Sequence, residues 1–256
     1  MSLLKAEWIK LTKRWVFPVM TVILLVLTGM SAVVLLVLPE VAPDAIEGLP
    51  ILTRRDASIL GVQTVIGQTW FPLILAVVML GSEVTSTAWA AALTRESRRV
   101  RHIAVRLGVL AVASWVAAVV AIALWEVLAS IYTEGAGPFD AVGWFGVAWK
   151  VLLVQTTWVA LGLGAIALLR STGVAIGIVV AYSFLEGLLA LWRPYGEVAL
   201  SSASNALIGQ VFADVSGGFG VGASDAMAFG QAVVVVIGWT ALGAALTWLG
   251  LARREA

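Results

Sequence analysis

Residues 17–38 read FPVMTVILLVLTGMSAVVLLVL, with no charged side chain among them. As a helix rising about 1.5 Å per residue, the run extends about 33 Å, enough to cross a hydrocarbon layer about 30 Å thick. It is too long for a strand and does not alternate apolar with polar, as a barrel strand would. Similar runs follow on both sides of short polar segments. Ala57–Ser82 is uncharged and continues past Glu83 toward Ala92. Leu107–Trp125 and Val151–Leu169 give two more. Ser171–Leu185 continues across Glu186 to Trp192, and Ala226–Ala252 contains the last. The reading is an all-α integral membrane protein with six transmembrane helices, at about 17–38, 62–92, 103–128, 148–169, 172–192 and 228–251, in one domain covering 1–256. Only Arg170, Ser171 and Thr172 separate spans four and five, which predicts a tight antiparallel hairpin.

Composition agrees. Of 256 residues, 61% are hydrophobic and 12% charged, with mean hydropathy +1.01. A soluble domain is nearer 45–50% apolar and about a quarter charged, and a chain this size cannot hide so much apolar surface within itself. The net charge of +1 gives no field for nucleic acid. The absence of cysteine excludes disulfides, thiol nucleophiles and iron–sulfur clusters, and one histidine, His102, cannot build a zinc site.

Lysine and arginine set the expected orientation. With both termini in the cytoplasm, 12 of the 16 cations fall inside: Lys5, Lys10, Lys13 and Arg14, then Arg95, Arg98, Arg99, Arg101 and Arg106, then Arg170, Arg253 and Arg254. Arg54, Arg55, Lys150 and Arg193 remain outside. Trp15, Trp70, Trp125, Trp144, Trp149 and Trp192 fall near span ends, as an interfacial aromatic belt would. The basic N-terminus leads into a full-length span without a small-residue cleavage site, so that span is expected to be retained.

Three segments outside the spans carry information. Residues 3–15 read as an amphipathic interfacial helix, with Leu4, Trp8, Leu11 and Trp15 on one narrow face and the lysines elsewhere. Residues 93–101, LTRESRRVR, join spans two and three. That basic loop serves either as a topology determinant that binds anionic lipid or as a docking surface for a cytoplasmic protein. Residues 195–227 form an outer segment, with a short helix expected over Ala199–Phe212 before the glycine-rich stretch 216–222.

Three glutamates lie in or beside spans, where a charge costs about 2.5–3.5 kcal/mol on insertion scales. Glu126 is expected at the outer interface as a wetted carboxylate. Glu186 is expected within the outer leaflet, facing protein or water, with a structural role and a pathway role both open. Glu83 is expected to form an ion pair with an arginine of the neighbouring basic segment. There is no Gly-Lys dipeptide and hence no P-loop, no HExxH, no interior aspartate pair and no histidine within a span. An enzyme is therefore not expected.

Two stretches resemble the signatures of bacterial ABC exporter permeases of the second type. Leu3-Leu4-Lys5-Ala6-Glu7-Trp8-Ile9-Lys10-Leu11 is similar to that family's elbow helix, with Glu then Lys before span one. Residues 81–108 resemble its second signature, through Glu83, Thr87, Leu93, Thr94, Ser97, Arg98 and Arg106. Ser86 stands where the family has glycine, and Arg95-Glu96 lacks the loop proline. The resemblance implies a bacterial cell-membrane permease that pairs with an identical or related second permease and rests on two copies of a cytoplasmic ABC ATPase. ATP and Mg would bind in that ATPase, with no cofactor in this chain. It implies that Thr94, Arg95, Glu96, Ser97, Arg98 and Arg99 dock on the ATPase, supported by Glu83 and Arg106. The implied cargo is amphipathic or apolar: a drug, a peptide such as a lantibiotic, a lipid or a glycan precursor. The alternatives are a channel or secondary carrier without an ATPase, and a membrane scaffold or sensor subunit.

Overall fold

The computed structural model of the chain describes residues 3–41, 52–84, 99–135, 137, 141–209 and 227–252. Among these, every regular element is a helix, and six helical stretches are long and apolar enough to cross a membrane. Helix α1 (Leu3–Lys13) turns at Arg14 and Trp15 into α2 (Val16–Ala32), which continues through a π-helical stretch (Val33–Val37) into α3 (Leu38–Val41). Span two is α4 (Arg54–Gly67) plus α5 (Trp70–Val84); α6 (Arg99–Tyr132), α7 (Ala141–Leu169) and α8 (Thr172–Leu189) follow. The short α9 (Arg193–Gly196) and α10 (Leu200–Gly209) precede α11 (Phe229–Ala252).

The second span departs from the sequence reading. It begins at Arg54 rather than near residue 62, and it is broken at Gln68 and Thr69. Thr53 sets the beginning, because its hydroxyl accepts from the Asp56 amide at 3.3 Å and caps the first turn. Pro72 accounts for the break. It has no N–H for the Gln68 carbonyl, and its ring crowds that carbonyl. The carbonyl accepts from Phe71 at 3.2 Å instead, and the Thr69 amide folds back to Gly67 at 2.8 Å.

Span four is the axis of the bundle. Two thirds of its most apolar window (67%) is buried, against 17% for span five. Helix α7 packs on α11, α5 and α6. Its contact with α11 is close because small residues meet at a seven-residue spacing. A Cβ at Gly243 would come within 2.6 Å of the Ala160 backbone, and one at Gly250 within 2.6 Å of Ala167. Small residues let helix backbones approach, which is how helices gain van der Waals contact where no hydrophobic effect drives them together. The α7–α8 hairpin closes on Arg170 and Ser171 as its spacing required. Arg170 takes the left-handed conformation (φ 57°), its amide donates to Ile166, and Ser171 caps α8.

Candidate functional site

The polar feature that joins most segments lies at the end of the bundle where the chain begins. There α1 packs on α6, and its Lys10 reaches Glu83 in the last turn of α5. Glu7 and Leu11 are one helical turn apart on the buried face of α1. Arg106 of α6 donates through Nη2 to Glu7 at 3.1 and 3.0 Å, and through Nε to Glu7 at 3.2 Å. The same Nη2 donates to Glu83 of α5 at 2.6 Å. Lys10 bridges the two carboxylates from the other side, 2.8 Å from Glu7 and 3.1 Å from Glu83. Arg14 adds a bond from Nη1 to Ser82 Oγ at 2.6 Å.

Burial separates strong contacts from weak ones in this cluster. The side chains of Arg106, Glu7 and Glu83 are only 8, 10 and 9% exposed. Glu7 and Glu83 are matched by Arg106 and Lys10, and pairing is the condition for holding charge away from water. Lys10 is 40% exposed, and water screens its pairs, so it contributes little. The planar guanidinium of Arg106 is the only side chain of the four bonded to both carboxylates through a rigid fork. A cavity of ≈ 10 Å³ lies beside the cluster, room for about one water and for no larger ligand. The cluster is a clasp between segments.

The opposite end holds two further carboxylates. Glu126 is half-buried, not a free headgroup carboxylate: Arg54 Nη2 donates to it at 3.2 Å and Ser58 Oγ at 3.0 Å. Glu126 lies near the far end of α6, so this pair staples that helix to the start of span two. Trp125 next to it is fully buried, donating to the Ala57 carbonyl at 2.7 Å and leaving no room for a side chain at Gly61; it is a core donor, not a belt residue. Glu186 is 2% exposed and accepts from the Ser201 amide at 2.8 Å. That amide opens α10, so the carboxylate caps a helix start, where the helix dipole favours negative charge. Trp239 Nε1 donates to Val198 at 2.8 Å, and the Tyr182 and Tyr195 hydroxyls meet at 3.1 Å. The segment leading into α10 is thus tied to spans five and six. Burial raises the Tyr195 phenol above its ordinary value; the Tyr182 bond opposes this and Glu186 adds to it.

Of the residues that sequence singled out, Glu83 and Arg106 meet. Glu186 faces protein and accepts from the Ser201 amide. Leu4, Trp8, Leu11 and Trp15 do not share one environment: Leu11 is fully buried, whereas Leu4, Trp8 and Trp15 are exposed. Leu11 turns inward because Glu7, one turn earlier, is held by Arg106. Thr94, Arg95, Glu96, Ser97 and Arg98 lie outside the described residues, and of Arg99 only its place at the start of α6 is described. The glycine-rich stretch 216–222 is outside them too. Glu7 and Lys10 are the partners that the sequence did not reveal as such, although both stand in the N-terminal motif. Comparison with known protein families, curated proteins and solved structures finds no match.

Proposed function

We propose that the chain is the transmembrane subunit of an ATP-driven exporter of the ABC type, paired with a second permease and two ATPase subunits. The observation that carries this reading is the Glu7–Arg106–Glu83 clasp. The two stretches that resemble the exporter signatures, residues 3–11 and 81–108, are well separated in the chain, and their charged residues bond one another. A random pair of short motifs has no reason to do so.

The chemistry assigned to this chain is mechanical. ATP and Mg stay in the partner, and the basic segment 94–99 takes the contact. Arginines suit that contact because their forks bond two carboxylate oxygens together. Displacement of the segment would reach spans two and three at once, since it joins them. Through Arg106 and Glu83 it would also reach α1, which lies along the membrane surface with Trp8 and Trp15 outward. The cargo is amphipathic or apolar, moved outward from the cytoplasm or the membrane.

Arg98→Glu combined with Glu96→Arg tests the reading. The double variant is expected to insert normally, because the remaining arginines keep the charge bias. It should lose the ATPase on co-purification, or keep it with hydrolysis no longer stimulated by cargo. Full retention of both would reduce the segment to a topology determinant.

A further inference from the structure

The break in span two leaves polar groups in an apolar place. Gln68 and Thr69 lie near the middle of a span that runs from Arg54 to Val84. In an unbroken helix the Trp70 amide would donate to the Ile66 carbonyl; among the described residues that bond is absent. The Gln68 side chain donates through Nε2 to Thr28 Oγ1 of span one at 3.1 Å, and its Oε1 is buried without a hydrogen-bond partner. Exchanging the amide ends would orphan the nitrogen instead. Gly67 beside it is exposed on the surface of the chain.

Hydrocarbon cannot satisfy such groups. Irregular backbone at membrane depth persists only where protein covers it or where it lines a water-filled space. The two possibilities have different consequences, and an unpartnered Gln68 Oε1 next to the exposed Gly67 favours the second. We propose that the Gly67–Trp70 face of span two is a hydrated site halfway across the membrane. Its acceptor is Gln68 Oε1, buried and unpartnered beside the exposed Gly67, and the donor that it takes is water. The proposal goes beyond the ATPase partnership and does not depend on it.

The chain has no cysteine, so single cysteines report cleanly. A Cβ at Gly67 meets nothing within 4 Å, and Gly67→Cys is therefore compatible with the fold. Val26→Cys is the control. It lies on span one within one turn of Thr28, at the depth of Gln68, and is exposed on an apolar face. A charged, water-borne methanethiosulfonate reacts with the thiolate, which does not form in hydrocarbon. In membranes treated from both sides, Gly67→Cys should react about tenfold faster than Val26→Cys or more. Thr69→Cys, a near-isosteric change, should follow Gly67→Cys. Both sites reacting as slowly as Val26→Cys would overturn the proposal and assign the face to a protein cover.

Discussion

The two ends of the bundle hold their charges differently. Where the chain begins, one guanidinium engages two carboxylates and joins α1, α5 and α6. At the other end Arg54 engages one carboxylate and joins α4 to α6, while Glu186, among the described residues, accepts from a backbone amide. The contrast separates two uses of buried charge. A carboxylate that caps or staples fixes one contact between neighbours. A shared arginine makes the positions of three segments interdependent, so that none shifts without breaking a buried pair. Interdependence of that kind is what the proposed function asks of the bundle end next to the basic loop.

Arg106→Ala should break the contrast most. It removes the buried one of the two cations that Glu7 and Glu83 share, and breaking a buried pair typically costs about 3–5 kcal/mol. Thermal unfolding in detergent, followed by tryptophan fluorescence, should show the largest loss of stability in this variant. A loss no greater than that of Lys10→Ala would mean that the clasp is not centred on Arg106.

Arg54→Ala comes second. It leaves Glu126 with the Ser58 hydroxyl as its remaining donor, and loss of a partner from a half-buried polar group costs about 1–3 kcal/mol. The same unfolding measurement should place it below Arg106→Ala. The reverse order would erase the distinction between the two ends.

Glu186 gives the smallest effect and sharpens the distinction. Loss of a capping acceptor costs about 0.5–2 kcal/mol. Glu186→Leu should therefore destabilise modestly, while Glu186→Gln, which keeps an acceptor oxygen, should recover most of the stability. If Glu186→Gln is stable yet as impaired in transport as Glu186→Leu, the charge has a task other than capping.

How far sequence reached into this structure follows from the range of each interaction. Spans are local, and an uncharged run of twenty residues has few alternatives to a helix in lipid. That Glu83 needs a cation is readable, because a lone carboxylate in a span is costly; the expected partner is an arginine of the basic segment, whereas the described ones are Arg106 of α6 and Lys10 of α1. Glu7 was not readable as their partner, because 99 residues separate it from Arg106 and a surface helix can present a glutamate to water at no cost. Leu11 illustrates the same limit: periodicity placed it with Trp8, but packing on α5 and α6 sent it inward. The uncharged run of span two contains Pro72, and a proline is tolerated in a membrane helix when neighbours or water satisfy the freed groups. What satisfies them depends on Thr28 of span one, which local sequence does not show.

The most direct measurement is the mass and composition of the complex that this chain forms in its native membrane. Gently extracted and purified by a tag on the chain, it should carry an ABC ATPase, two copies for every two permeases. ATP hydrolysis by the complex should be lost with the ATPase and not with mutation of any residue in this chain's spans alone. Recovery of the chain without any ATPase, in a membrane where the ATPase is present and intact, would contradict the account.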